Sequence, residues 1–227
     1  MAELRRFLGD AWLVAARDLR IEARSRVVVD QVVPFALLVL VLFGLALDAD
    51  HRTLRTFAPG LFWVAVLLSA LLAVHRSASV DQSDGTLDAL RMSGLPPSSL
   101  FLGKATAVFV QLVLLEAVLV GGLLVLYGVE VVDPVLLVVA GLLAGVAVAA
   151  AGTLYGALAS GLGVRETLLP ILLLPVLAPV LIGATRAFDD ALGAAAVDGW
   201  AWTGLLAVAA LVVTVVGALA HGVLIED

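Results

Sequence analysis

One acid, Glu116, stands in the middle of an otherwise uncharged run from residue 105 to 127. A carboxyl at the centre of an apolar stretch costs about 2.5–3.5 kcal/mol on insertion scales, so it must face other protein and be neutral or paired. Two kinds of chemistry suit it: lining a polar path, or closing a hydrogen bond inside the bundle. No basic residue sits at comparable depth in another apolar run, and both readings stay open.

A second group of chemistry-bearing residues lies in a polar insert, 75–100, that interrupts the apolar runs. It contains Asp84-Gly85-Thr86-Leu87-Asp88-Ala89-Leu90, turns at Gly94-Leu95-Pro96-Pro97, and returns to apolar sequence through Gly103-Lys104. Leu87 and Leu90 share one face of a short helix, which can seat in a groove of a soluble partner. The insert is where this chain would speak to such a partner.

Other reactive side chains are sparse. His51, His75 and His221 could each ligate a haem iron, but none has a second ligand at helical spacing, and each reads as an interfacial residue. Trp200 and Trp202 read as an aromatic belt at a span end. With no cysteine, the chain has no disulfide framework, iron–sulfur site or thioether haem attachment. No Gly-x4-Gly-Lys-Ser/Thr phosphate loop occurs; Gly103-Lys104 is followed by Ala105. His-Glu-x2-His and Gly-x-Ser-x-Gly patterns are missing too, so energy for any work must come from elsewhere.

The elements that position these residues are membrane spans. Of 227 residues, 63% are hydrophobic and 14% charged, with a mean hydropathy of +1.15. A soluble domain would carry about a quarter charged residues. Apolar runs of about twenty residues, each long enough for a hydrocarbon core of about 30 Å, predict an all-α membrane protein with spans at 27–47, 57–74, 101–127, 133–160, 168–186 and 199–224. Residues 1–26 form a separate interfacial amphipathic helix, with Leu4, Phe7, Leu8, Ala11, Trp12, Ala15 and Leu19 on one face. It serves as a lever feeding the first span or as an anchor. No cleavable leader is expected, because a charged segment precedes the first apolar run.

Basic residues set the orientation. Ten fall on the side of the N-terminus and the insert, whereas only Arg52, Arg55 and Arg186 fall on the other. The positive-inside rule then places both termini and the insert in the cytoplasm, despite the net charge of −6. The fourth span carries Gly141, Gly145, Ala149, Gly152 and Gly156 on one stripe, suited to close packing within one subunit or between two. In the fifth, Pro170, Pro175 and Pro179 each remove a backbone donor, predicting a kinked, bundle-buried or partly re-entrant helix in which Pro175 and Pro179 are gating candidates.

Asp84-Gly85-Thr86-Leu87-Asp88-Ala89-Leu90, then Pro96 and Gly103-Lys104, resembles the acidic-Gly-Thr-Leu-Glu-x-Leu…Pro…Gly-Lys stretch of ABC-2-type exporter membrane subunits. That resemblance implies an ABC-2-type exporter fold and a coupling role for Asp84, Gly85, Thr86, Leu87, Leu90 and Pro96. The stretch Ala58-Pro59-Gly60-Leu61-Phe62-Trp63-Val64-Ala65 narrows it, because it is similar to the Ala-Pro-Gly-x-x-Trp-Val-Ala segment of the haem exporter B (CcmB) family of cytochrome c maturation. The Pro175…Pro179 run followed by Ala184-x4-Asp189 matches the same family.

The resemblance implies a permease subunit, present in two copies in the cytoplasmic (inner) membrane. Its ATP would be hydrolysed by a cytoplasmic A-subunit ATPase, and its companions would be a haem-handling C subunit and a small D subunit. Haem enters as a handled or transported species, not as a cofactor bound by named residues, and no metal site is implied. Two alternatives remain: a mechanical transmitter without a substrate path, and an ABC-2 exporter of lipid, drug or polysaccharide.

Overall fold

In the computed structural model, which describes residues 2–26, 28–46, 51–83, 95–161 and 165–226, the chain is helical throughout its ordered elements. We number them α1 (Ala2–Ser25), α2 (Val33–Ala46), α3 (His51–Ser83), α4 (Pro97–Gly122), α5 (Pro134–Gly161), α6 (Arg165–Ala191) and α7 (Gly199–Glu226). A π-helical turn, Val28–Val32, leads into α2, and another, Leu123–Tyr127, closes α4. Six of these helical stretches are long and apolar enough to cross a membrane: Val28–Ala46, Arg52–Leu72, Pro97–Tyr127, Pro134–Leu158, Ile171–Ala191 and Gly199–Gly222. The chain is a multi-pass membrane protein. Its termini lie at one end of the bundle, and the loops 128–133 and 192–198 at the far end.

Short polar residues mark where helices begin. Asp133 Oδ1 accepts the amides of Val135 and Leu136, both at 3.0 Å, with Pro134 opening the first turn. Asp198 Oδ1 accepts the Ala201 amide at 3.1 Å, capping α7 in the same way. Pro96 precedes α4, and its carbonyl accepts both the amide and the hydroxyl of Ser99, at 2.9 and 2.7 Å. At the far end Gly128 takes a left-handed φ of 62°, which releases the chain from α4 toward α5.

α5 is the hub, packing on α7, α6, α4 and α3. Its alanines Ala140, Ala144, Ala147 and Ala151 are fully buried, since small side chains let neighbouring backbones close on the helix. The stripe Gly141, Gly145, Ala149, Gly152 and Gly156 is buried as well, and so is used inside the subunit. Tyr127 donates to the Leu40 carbonyl at 2.7 Å and ties the end of α4 to α2. Faces left open are apolar, such as Leu205, Val208, Leu211, Val212 and Leu219 on α7, as lipid contact requires.

The structure refines three expectations. The second span is found at Arg52–Leu72, and its helix runs on past it to Ser83, since nothing in the first residues of the insert breaks a helix before Gly85. α6 is a continuous helix, and two of its prolines, Pro175 and Pro179, are exposed on its outer surface and not buried in the bundle. The carbonyls one turn before Pro175 and Pro179 belong to Ile171 and Pro175, which are both exposed. Finally, the apolar face of α1 is divided. Ala11, Val14 and Ala15 are buried, whereas Leu8, Trp12 and Leu13 point away from the bundle.

Candidate functional site

On α3, Gly60, Trp63, Val64 and Leu67 fall at spacings of three and four, and so on one stripe. On α6, Leu181, Ile182, Thr185, Arg186 and Asp189 form a matching stripe. The two stripes face each other across a pocket of about 460 Å³ that they line together. Gly60 helps make the opening: a Cβ placed on it would meet nothing within 4 Å. The walls are apolar apart from three groups, Thr185, Arg186 and Asp189. Arg186 Nη1 donates to Asp189 Oδ2 at 3.3 Å; the arginine is half exposed and the carboxylate is 11% exposed.

Behind the pocket stands an aromatic wall. Trp63 and Phe188 meet edge to face with centroids 5.1 Å apart, and Phe62 joins both, at 5.2 Å from Trp63 and 4.9 Å from Phe188. All three rings are buried. The indole Nε1 of Trp63 is buried without a hydrogen-bond partner, an unusual state for a group that normally finds one.

Glu116 lies beyond that wall, 7% exposed, with its Oε1 also lacking a partner. Two glycines of α5 make room for it. A Cβ on Gly141 would stand 3.2 Å from Glu116 Oε2 and 3.8 Å from Phe188 Cζ, and one on Gly145 would stand 3.3 Å from Oε1 and 3.4 Å from Phe109. The glycine stripe and the buried acid, read separately from the sequence, are one feature: the glycines form the cradle of the carboxyl.

Of the expected coupling residues, Asp84, Gly85, Thr86, Leu87 and Leu90 lie outside the described residues. Pro96 sits at the start of α4, at the end of the bundle opposite the pocket. Pro175 and Pro179 do not line the pocket. His221 is buried at the termini end against Phe101, with ring centroids 5.6 Å apart. Sequence reasoning used Arg186 only for orientation and passed over Phe188 and Thr185. The signal available was the i, i+3 pair of Arg186 and Asp189 beside a phenylalanine at the end of a span.

The two stretches that line the pocket, Gly60–Leu67 and Leu181–Asp189, are the ones whose residues resembled the haem exporter B family. The profile of that family, described as CcmB protein, matches residues 10–226. The chain belongs to the CcmB protein family. Among its relatives, the heme exporter protein B of Haemophilus influenzae is 33% identical over 182 residues, 78% of this chain and 80% of that protein. The heme exporter protein B of Paracoccus denitrificans is 35% identical over 183 residues, 78% of this chain and 82% of that protein. That of Pseudomonas aeruginosa is 29% identical over 180 residues, covering 79% and 81%.

Proposed function

We propose that this CcmB-family chain is the membrane (permease) subunit of an ABC complex for cytochrome c maturation, with an ABC-2-type exporter fold. ATP is hydrolysed by a cytoplasmic ATPase partner, and this subunit turns that hydrolysis into haem export or the release of a haem-loaded chaperone. A haem-handling C subunit, a small D subunit and a second copy of the chain complete the assembly. The subunit sits in the cytoplasmic membrane with both termini inside, an orientation supported by ten basic residues against three. The pocket then opens on the outer half of the bilayer.

The observation that carries this reading is the convergence of both family-like stretches on one pocket. Leu67, Leu181 and Ile182 supply apolar wall and Arg186 a cation at the same opening, which suits a flat apolar body bearing carboxylates. A second reading, mechanical transmission without a substrate path, draws support from the enclosure of Glu116 behind its rings. Affinity purification of the chain from native membranes in mild detergent, with mass spectrometry of its companions, tests the proposal. An ATPase together with haem-handling membrane subunits is the expected result. An ATPase alone would assign the chain to an ordinary exporter and overturn the role in cytochrome c maturation.

A further inference from the structure

The Phe188 ring packs on a pocket-lining residue and lies in the neighbourhood of the acid. Its centroid is 5.1 Å from that of Trp63, a pocket-lining residue. Its Cζ and Glu116 Oε2 lie 3.8 and 3.2 Å from the same point beside Gly141. The next residue, Asp189, lines the pocket and holds Arg186. Two buried polar atoms in this region lack partners, Trp63 Nε1 in the wall and Glu116 Oε1 beyond it. Buried polar groups left unpaired call for a donor or acceptor that arrives from outside. Phe188, the residue before pocket-lining Asp189, reaches the same spot beside Gly141 as the Glu116 carboxyl. A phenyl ring can swing about two side-chain torsions with no hydrogen bond to break, and the glycines at 141 and 145 leave no side chain of their own against the carboxyl.

We infer that Glu116 is an occluded hydration site, closed from the α3–α6 pocket by Phe188 and Trp63 and opened to water when the Phe188 ring moves. In the closed state the carboxyl is dry. In the open state water entering from the Arg186–Asp189 end satisfies Oε1, and Glu116 can exchange a proton with it. The inference concerns this chain's own residues and holds whichever cargo the pocket takes.

The natural absence of cysteine makes the test direct. Glu116→Cys, Thr185→Cys in the pocket, and Leu119→Cys, fully buried one turn along α4, each give the chain a single thiol. In native membranes containing the whole complex, each is reacted with a small water-soluble maleimide, which requires a hydrated thiolate. Labelling of this chain is followed by mass.

Thr185→Cys should react fastest, Glu116→Cys at least tenfold more slowly, and Leu119→Cys not at all. Adding Phe188→Ala should raise the Glu116→Cys rate at least tenfold and leave Leu119→Cys inert. If Phe188→Ala does not accumulate, Phe188→Leu, which keeps an apolar side chain, should give a smaller rise. The inference is overturned by a Glu116→Cys rate indifferent to Phe188, by one equal to Thr185→Cys with Phe188 intact, or by a parallel rise at Leu119→Cys, which would mark general loosening.

Discussion

At the scale of single residues, glycine does most of the shaping, and two positions separate shape from stability. Gly60 faces open space, so a larger side chain there enters the pocket and not the packed core. Replacing glycine within a helix also removes about 1 kcal/mol of backbone penalty. Gly60→Leu should therefore insert and unfold like the natural chain, or slightly higher, while lowering cytochrome c maturation several-fold. Thermal unfolding of the purified complex and the yield of holocytochrome c in a deletion strain measure the two quantities. Wild-type maturation with normal protein level would remove the pocket from function. The Arg186–Asp189 pair is a poor probe by comparison, because a half-exposed ion pair is worth less than about 1 kcal/mol and its loss mixes charge with packing.

At the scale of elements, α1 is clamped to α4 with very little clearance. A Cβ on Gly103 would stand 2.6 Å from the Ala11 carbonyl oxygen and 2.6 Å from Val14 Cβ. Beside this contact Lys104 pairs with Asp18 at 3.8 Å, both side chains largely buried. Glu22 Oε1 then accepts the Val28 amide at 2.7 Å, joining the end of α1 to the turn that begins the first span. Gly103→Ala should cost about 1–3 kcal/mol by overpacking and free α1. Faster proteolysis at the arginines of α1, with the spans intact, is the expected readout; an unchanged digestion pattern would show that α1 is held by other contacts. The pair Gly103-Lys104 had been legible only as part of a motif, and its packing role could not be read, because the carbonyl it must avoid lies some ninety residues away. The six spans were legible to within about five residues at each end, since hydrocarbon thickness fixes their length. The aromatic wall was not: Phe62 and Phe188 become neighbours only through the fold. The prolines of α6 misled for the same reason, as nothing local told which side of the helix would face the bundle.

At the scale of the whole molecule, the insert 75–100 joins α3, which lines one wall of the pocket, to α4, which carries Glu116. α3 brings Trp63 and Gly60, α4 brings Glu116, α6 the other wall of the pocket, and α5, the hub, packs on all three. Under the proposed coupling role, a push on residues 84–94 would reach both flanking helices, α3 and α4, and packed helices would carry it along their length. The α3 extension to Ser83 lengthens that lever beyond the apolar span, which ends at Leu72. Leu87 and Leu90, at helical spacing in this segment, are the side chains suited to an apolar groove on the ATPase. Leu87→Asp with Leu90→Asp places two charges at that contact and should abolish cytochrome c maturation while the chain still inserts. ATP hydrolysis by the complex should lose its dependence on this subunit. The two residues are far in sequence from Trp63 and Glu116, so labelling of Thr185→Cys should be unchanged in the same background. Normal ATPase association, activity and maturation in the double variant would sever the insert from coupling, and the force would then have to enter through α1 and its clamp on Gly103.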